Sequence, residues 1–199
     1  MRRPLRLGFL ASRNGSSFRR IVRAIGEGEL DATACLLVSN NKSAPALGFA
    51  AEQSIPALVI PTQGDPEAAD RRLAEAMQSA DVDLIILSGY LRRLGPITLS
   101  KFRNRVLNIH PGPLPGFGGE GMYGRKVHEA VIASGEPVSG CAIHVVDEEY
   151  DHGPVLAQLT CRLGPGETPE SLEAKITAME PDFYLATLKK ILAGELSLP

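Results

Sequence analysis

Short aliphatic runs punctuate the chain, each followed by a polar or glycine-rich turn and then a helical pattern. LRLGFLA (5–11) predicts a first strand, and FRRIVRAIGEG (18–28) a helix ended by its glycines. ACLLVSN (34–40) predicts a second strand with a helical ALGFAAEQ behind it, and PALVIPT (56–62) a third strand. In EAADRRLAEAMQSA (67–80), Ala68, Leu73, Ala76 and Met77 share one helical face while Arg71, Arg72 and Glu75 point outward. VDLIILSG (82–89) lacks polar alternation, the mark of a strand buried on both faces, and RVLNIHP (105–111) predicts a fifth strand. Strands alternating with helices imply an α/β fold with a doubly wound, mostly parallel sheet and right-handed crossovers.

After residue 136 the pattern changes. Two strand-like runs, 139–146 and 154–162, flank an acidic loop with Gly153, which predicts a hairpin-type extension of the same sheet. TPESLEAKITAMEPDFYLATLKKILAG (168–194) predicts a long C-terminal helix, capped by Thr168 with Pro169 at its first position. Pro181 is expected to kink it. With no repeat, linker or low-complexity segment, residues 1–199 are expected to form one domain.

Composition narrows the function classes. A formal net charge of −2 in 199 residues gives no reason to expect nucleic acid or an anionic membrane as partner. Three cysteines, Cys35, Cys141 and Cys161, at unrelated spacings suggest neither a disulfide framework nor a metal site, and a reducing cytoplasm fits best. The N-terminal MRRPLRLGFLA is broken by Arg6 and too short for a secretion signal, so the chain is expected to be soluble and unprocessed. Monomer and homodimer both stay open.

In an open α/β sheet, ligands bind beyond the carboxyl ends of the strands. Three segments fall there. In SRNGSSF (12–18), Gly15 allows a tight turn, and the amides of Gly15, Ser16 and Ser17 could hold a phosphate at the helix start. An ordinary helix cap would account for the same residues. Neither G-x-G-x-x-G nor G-x-x-x-x-G-K-[ST] is present, which disfavours a dinucleotide cofactor or an NTPase. In the fifth strand, Asn108 and His110 are two apart and project to one face, directly before Pro111-Gly112-Pro113. In EEYDHGPV (148–155), an Asp151 held near His110 would favour the imidazolium, a proton donor. Sequence alone does not bring the two together.

With these segments the chain resembles the folate-dependent formyltransferases, most closely their glycinamide ribonucleotide branch, over nearly its whole length. Ser12-Arg13-Asn14-Gly15-Ser16-Ser17 matches the family phosphate loop S-G-x-G-S-N. Gly89-Tyr90-Leu91-Arg92-Arg93-Leu94 matches its folate segment G-F-M-R-I-L. Asn108 to Pro115 matches N-I-H-P-S-L-L-P, and Asp151-His152-Gly153-Pro154 matches D-x-G-P. The resemblance implies a Rossmann-like formyltransferase fold that moves the formyl group of 10-formyltetrahydrofolate, its co-substrate, to the amine of 5'-phosphoribosylglycinamide in purine biosynthesis, without a metal. It further implies that His110 protonates, Asn108 holds the formyl oxygen, Asp151 keeps His110 charged, and Gly15, Ser16 and Ser17 hold the substrate phosphate. Leu91, Arg92, Arg93 and Leu94 would line the folate pocket mainly through backbone groups, and Glu180 would face the ribose end. An N-terminal half to about residue 100 would carry the phosphate, and the remainder the folate and the catalysis.

The chain departs from the family pattern at Ser17, in place of Asn, and at Pro66, where some members carry an arginine near the folate tail. The loop GFGGEGMYGRKV (116–127) is longer than is typical, and its glycines suggest a mobile flap from which Arg125 and Lys126 could reach an anion. Alternatives are a formyltransferase for another amine, a formyltetrahydrofolate deformylase, or a non-catalytic binding module for a phosphorylated ligand.

Overall fold

The computed structural model describes residues 3–199. Met1 and Arg2, which open the stretch weighed as a secretion signal, lie outside the described residues. The chain divides into two compact units, one ending at Leu107 and one running from Asn108 to Pro199.

The first unit alternates strand and helix: β1 (Leu5–Leu10), α1 (Ser16–Gly26), β2 (Ala32–Ser39), α2 (Pro45–Glu52), β3 (Ala57–Val59), α3 (Pro66–Ser79), β4 (Leu84–Leu87) and α4 (Pro96–Lys101), leading into β5 (Val106–His110). β1 pairs in parallel with β2 and β4, β2 with β3, and β4 with β5. Leu7, Phe9, Leu10, Leu84, Ile85 and Ile86 are all buried, as aliphatic runs without polar alternation require of strands covered on both faces. Gly8 is a packing glycine: a Cβ there would lie 2.5 Å from Met77 Sδ on α3. β3 is shorter than the expected 56–62 because Pro56 and Pro61 cannot donate to a ladder and bracket an edge strand.

The buried stripe of α3 is Ala69, Asp70, Leu73, Ala74 and Met77 rather than the face through Ala68 and Ala76. Polar Asp70 turns inward because it caps a helix that the sequence pattern does not announce. Its carboxylate accepts the amides of Ile97 (2.8 Å) and Thr98 (3.1 Å) at the start of α4.

The second unit begins with the end of β5 and continues through α5 (Arg125–Ser134), β6 (Val138–Val145), β7 (Val155–Arg162) and α6 (Pro169–Ala193). β6 and β7 form the expected antiparallel hairpin. The strand order is β3-β2-β1-β4-β5-β6-β7 in one sheet, which is the doubly wound, mostly parallel arrangement read from the sequence. α6 opens with a reciprocal Thr168–Ser171 capping box and Pro169 in its first turn, and it runs through Pro181 as a single helix of 25 residues.

The glycine-rich loop is shorter than expected, because α5 starts at Arg125. Arg125 does not project from a flap toward an anion: its guanidinium bonds Glu173 (2.8 Å) and Glu170 (3.1 Å) on α6. Among the described residues no helix is long and apolar enough to cross a membrane.

Candidate active site

In the second unit β5 ends by delivering Asn108 and His110 to one side, as i and i+2 of a strand must be. His110 is 3% exposed. Its Nδ1 lies 3.3 Å from Asp151 Oδ2, and its Nε2 lies 2.8 Å from the carbonyl oxygen of Phe117. A carboxylate and a carbonyl are both acceptors only, so the surroundings call for a hydrogen on each ring nitrogen.

Asp151 reaches this point through a strained turn. Its φ of 56° is left-handed, a region that Asp tolerates better than bulkier residues. Gly153 sets the turn: a Cβ there would lie 1.9 Å from the carbonyl oxygen of Val145, which only glycine avoids. Val145 N–H then donates to Pro154 O at 2.9 Å and closes the connection. Burial by itself would raise the pKa of Asp151. The hydrogen bond with His110, the His144 ring beside the carboxylate, the charge His110 carries when protonated and the Gly119 amide outweigh it and hold the carboxyl well below the usual carboxylate range.

The first part of the glycine-rich loop packs onto this pair. Besides the Phe117 carbonyl on His110, the Gly119 N–H donates to Asp151 Oδ2 at 3.1 Å. Gly118 permits the approach, since a Cβ there would come within 2.9 Å of Asp151 Cβ and 2.4 Å of Leu114 Cδ2. Residues 117–119 thus close over the His110–Asp151 pair.

His144, near the end of β6, belongs to the cluster and was not singled out from the sequence. Its Nε2 lies 3.1 Å from Asn108 Nδ2 and 3.4 Å from Asp151 Oδ1. Asn108 and His144 are 36 residues apart, and nothing in either local pattern forecasts the pairing. Glu180 on α6 is half-buried; burial pushes its carboxyl up to about 7, against a smaller lowering by the His110 charge. His128 on α5 is buried with Nδ1 lacking a partner among the described residues, and burial lowers its pKa. Among the described residues no group of three or more His, Cys, Asp or Glu is arranged to hold a metal ion.

The other predicted residues lie in the first unit. Gly15 adopts a left-handed conformation (φ 64°) as the cap of α1, and no side chain caps that helix. The amides of Ser16 and Ser17 bond nothing among the described residues, whereas the next, Phe18 N–H, donates to Ser88 Oγ at 3.0 Å. The segment 89–94 is less uniform than expected. The Leu91 amide is already donated to Ser12 Oγ (2.8 Å), and Leu94 is buried at 6% exposure. Leu91 and Arg92 line a cleft of about 520 Å³ together with Ser12, Arg13, Lys42 and Gln63. Three cations and no carboxylate face it.

Residues 5–188 match the formyl transferase family. The chain is 37% identical over 193 residues to the chloroplastic phosphoribosylglycinamide formyltransferase of Arabidopsis thaliana, covering 95% of this chain and 66% of that protein. It thus spans about two thirds of the length of that relative. It is 33% identical over 184 residues to phosphoribosylglycinamide formyltransferase of Bacillus subtilis, covering 92% of each. Among solved structures, glycinamide ribonucleotide transformylase 1 of Symbiobacterium toebii superposes with a TM-score of 0.90 at 30% identity, over 100% of this chain and 92% of that one.

Proposed function

The chain belongs to the formyl transferase family, and from that premise we propose that it transfers the formyl group of 10-formyltetrahydrofolate to the amine of 5'-phosphoribosylglycinamide in purine biosynthesis. The observation that carries the mechanism is His110, whose two ring nitrogens face Asp151 and the Phe117 carbonyl.

The acceptor amine attacks the formyl carbon, a carbon–nitrogen bond forms, and the carbonyl π pair moves to oxygen. Asn108 Nδ2–H and His110 Nε2–H donate to that oxyanion, groups positioned before the charge develops. The formyl oxygen takes the place that the Phe117 carbonyl holds beside His110 Nε2. As the intermediate collapses, the C=O re-forms and the bond to the folate nitrogen breaks. His110 gives that nitrogen its proton and recovers one from the attacking ammonium, so the reaction is proton-neutral. Asp151, ionised well below neutral pH, holds the charge on His110 through the cycle.

The unpartnered amides of Ser16 and Ser17 beside Gly15 receive the phosphate of the acceptor, and Glu180 meets its ribose end. Leu91 and Arg92 border the folate cleft, with Arg93 and Leu94 setting the course of that loop. Arg13, Lys42 and Arg92 supply positive charge to the anionic groups that both substrates carry. The free thiols fit a reducing cytoplasm as the place of work.

Purified protein mixed with the formyl folate is expected to release tetrahydrofolate only when the ribonucleotide acceptor is added. Release without acceptor would make the chain a deformylase, and release with other amines alone would change the acceptor. His110→Ala is expected to lower kcat by roughly 100- to 10,000-fold while the folate Kd changes by less than about threefold.

A further inference from the structure

An asparagine can stabilise an oxyanion only through an N–H, and an amide turned by half a revolution presents a carbonyl instead. What fixes Asn108 is therefore a functional question. Its Nδ2 lies 3.1 Å from His144 Nε2, and on the far side of the same ring Nδ1 lies 3.1 Å from the carbonyl oxygen of Val145. A carbonyl only accepts, so Nδ1 carries the ring hydrogen. Asn108 Nδ2 is a donor, so Nε2 must be bare. These two demands agree on one species, the neutral Nδ1–H tautomer. His144 is 2% exposed, which leaves little room for water to substitute for either partner.

The support for that tautomer extends further back along the chain. Gly153 leaves room for the Val145 carbonyl, since any Cβ there would lie 1.9 Å from its oxygen, and the Val145 N–H bonds Pro154 O at 2.9 Å. One of the two Asn108 N–H hydrogens goes to His144 Nε2. The second remains for a ligand. The competing demand comes from Asp151 Oδ1, 3.4 Å from Nε2, which would favour a hydrogen on that nitrogen. His110 and Gly119 engage the other oxygen of Asp151, Oδ2, at 3.3 Å and 3.1 Å, and the Asn108 contact at 3.1 Å is closer to Nε2 than Oδ1 is.

We infer that His144 is the positioning residue of the site: as the neutral Nδ1–H tautomer, its bare Nε2 holds the Asn108 amide with its remaining N–H presented to the formyl oxygen. The functional meaning rests on the reaction proposed above. The tautomer itself does not.

Nitrogen NMR of protein labelled with ¹⁵N-histidine tests the tautomer without any turnover. The His144 ring is expected to show a protonated Nδ1 and an unprotonated Nε2 near neutral pH, with the Nε2 signal displaced in Asn108→Ala. A hydrogen on Nε2, in the other tautomer or in the cation, overturns the inference. Kinetics test the positioning. His144→Leu, of similar bulk but without an acceptor, is expected to lose about 100-fold in kcat with KM for the folate within about threefold. His144→Gln, whose Oε1 can accept the Asn108 N–H, is expected to recover at least about tenfold of that loss. The Asn108→Ala/His144→Leu double variant is expected to be no slower than Asn108→Ala, because His144 has nothing left to hold. Multiplying losses, or wild-type kcat in His144→Leu, would show that His144 does not act through Asn108. A wild-type protein inactive with formyl folate would instead remove the proposed function and leave the NMR result to decide the tautomer.

Discussion

Asp151 accepts from His110 and from the Gly119 amide, and its carboxyl sits below the ordinary range because those bonds reward the charged form more than burial penalises it. The sign of the linkage follows. A carboxyl whose folded pKa is depressed contributes stability above its unfolded value, near 3.8, and that contribution is lost as pH falls toward the folded value. The advantage of wild type over Asp151→Asn in urea midpoint is therefore expected to be full at about pH 6 and to shrink toward about pH 2. An advantage constant across that range would mean that the side chain works through shape and not charge. Glu180 runs the opposite way. Burial raises its folded pKa from 4.5 to about 7, so its contribution is present below 4.5 and disappears as pH rises through 7. Glu180→Gln is expected to gain urea midpoint over wild type between about pH 5 and about pH 8, and a flat difference would place the carboxyl in water. Asn108, His110 and Asp151 were legible as single residues because a strand end and a Gly-Pro return mark them. His144 was not, because its role is a contact between β5 and β6 that no local pattern encodes.

The elements divide along the same line. β1, β2 and β4 were visible as aliphatic runs because burial on both faces leaves no polar alternation to confuse with a helix, and α6 announced itself by Thr168-Pro169 at one end and Gly194 at the other. α4 was hidden: it has six residues and receives its cap from Asp70, far away in sequence. α5 was hidden by its glycine-rich approach and by a start at Gly124 with no side-chain cap. The β6–β7 hairpin was anticipated and Asp151 in its turn was singled out, but not how the turn brings that carboxylate to His110. That placement depends on Gly153, whose absent side chain leaves room for the Val145 carbonyl. Gly153→Ala is expected to destabilise the protein by roughly 2–4 kcal/mol and to lower kcat further in the protein that stays folded, since backbone and not a flexible side chain must yield. Wild-type stability by thermal melting, with unchanged kcat, would show that the turn accommodates a methyl group and that Asp151 is aimed by something else.

For the molecule as a whole the net charge is only −2, so the overall field neither draws in nor repels an anion strongly. The distribution matters more than the sum. Arg13, Lys42 and Arg92 border one cleft without a facing carboxylate, whereas Arg3, Arg20, Arg71 and Arg125 are each paired with acids elsewhere. Three like charges around an open cleft raise the local concentration of an anionic ligand over a distance set by the Debye length, about 10 Å at 0.1 M salt. The sequence pattern could count these cations but not gather them, because they come from the loops after β1, β2 and β4. If they act together on a folate that carries carboxylates, kcat/KM for the formyl folate should fall about three- to tenfold between roughly 20 mM and 300 mM salt, mainly through KM. Lys42→Gln and Arg92→Gln should each flatten that dependence, and the pair should flatten it further, while kcat at saturating folate stays near the wild-type value. Equal salt dependence in wild type and in both variants would remove the cleft from the path of the folate. Flattening in the variants with the acceptor varied at saturating folate would assign the same charges to the phosphate instead.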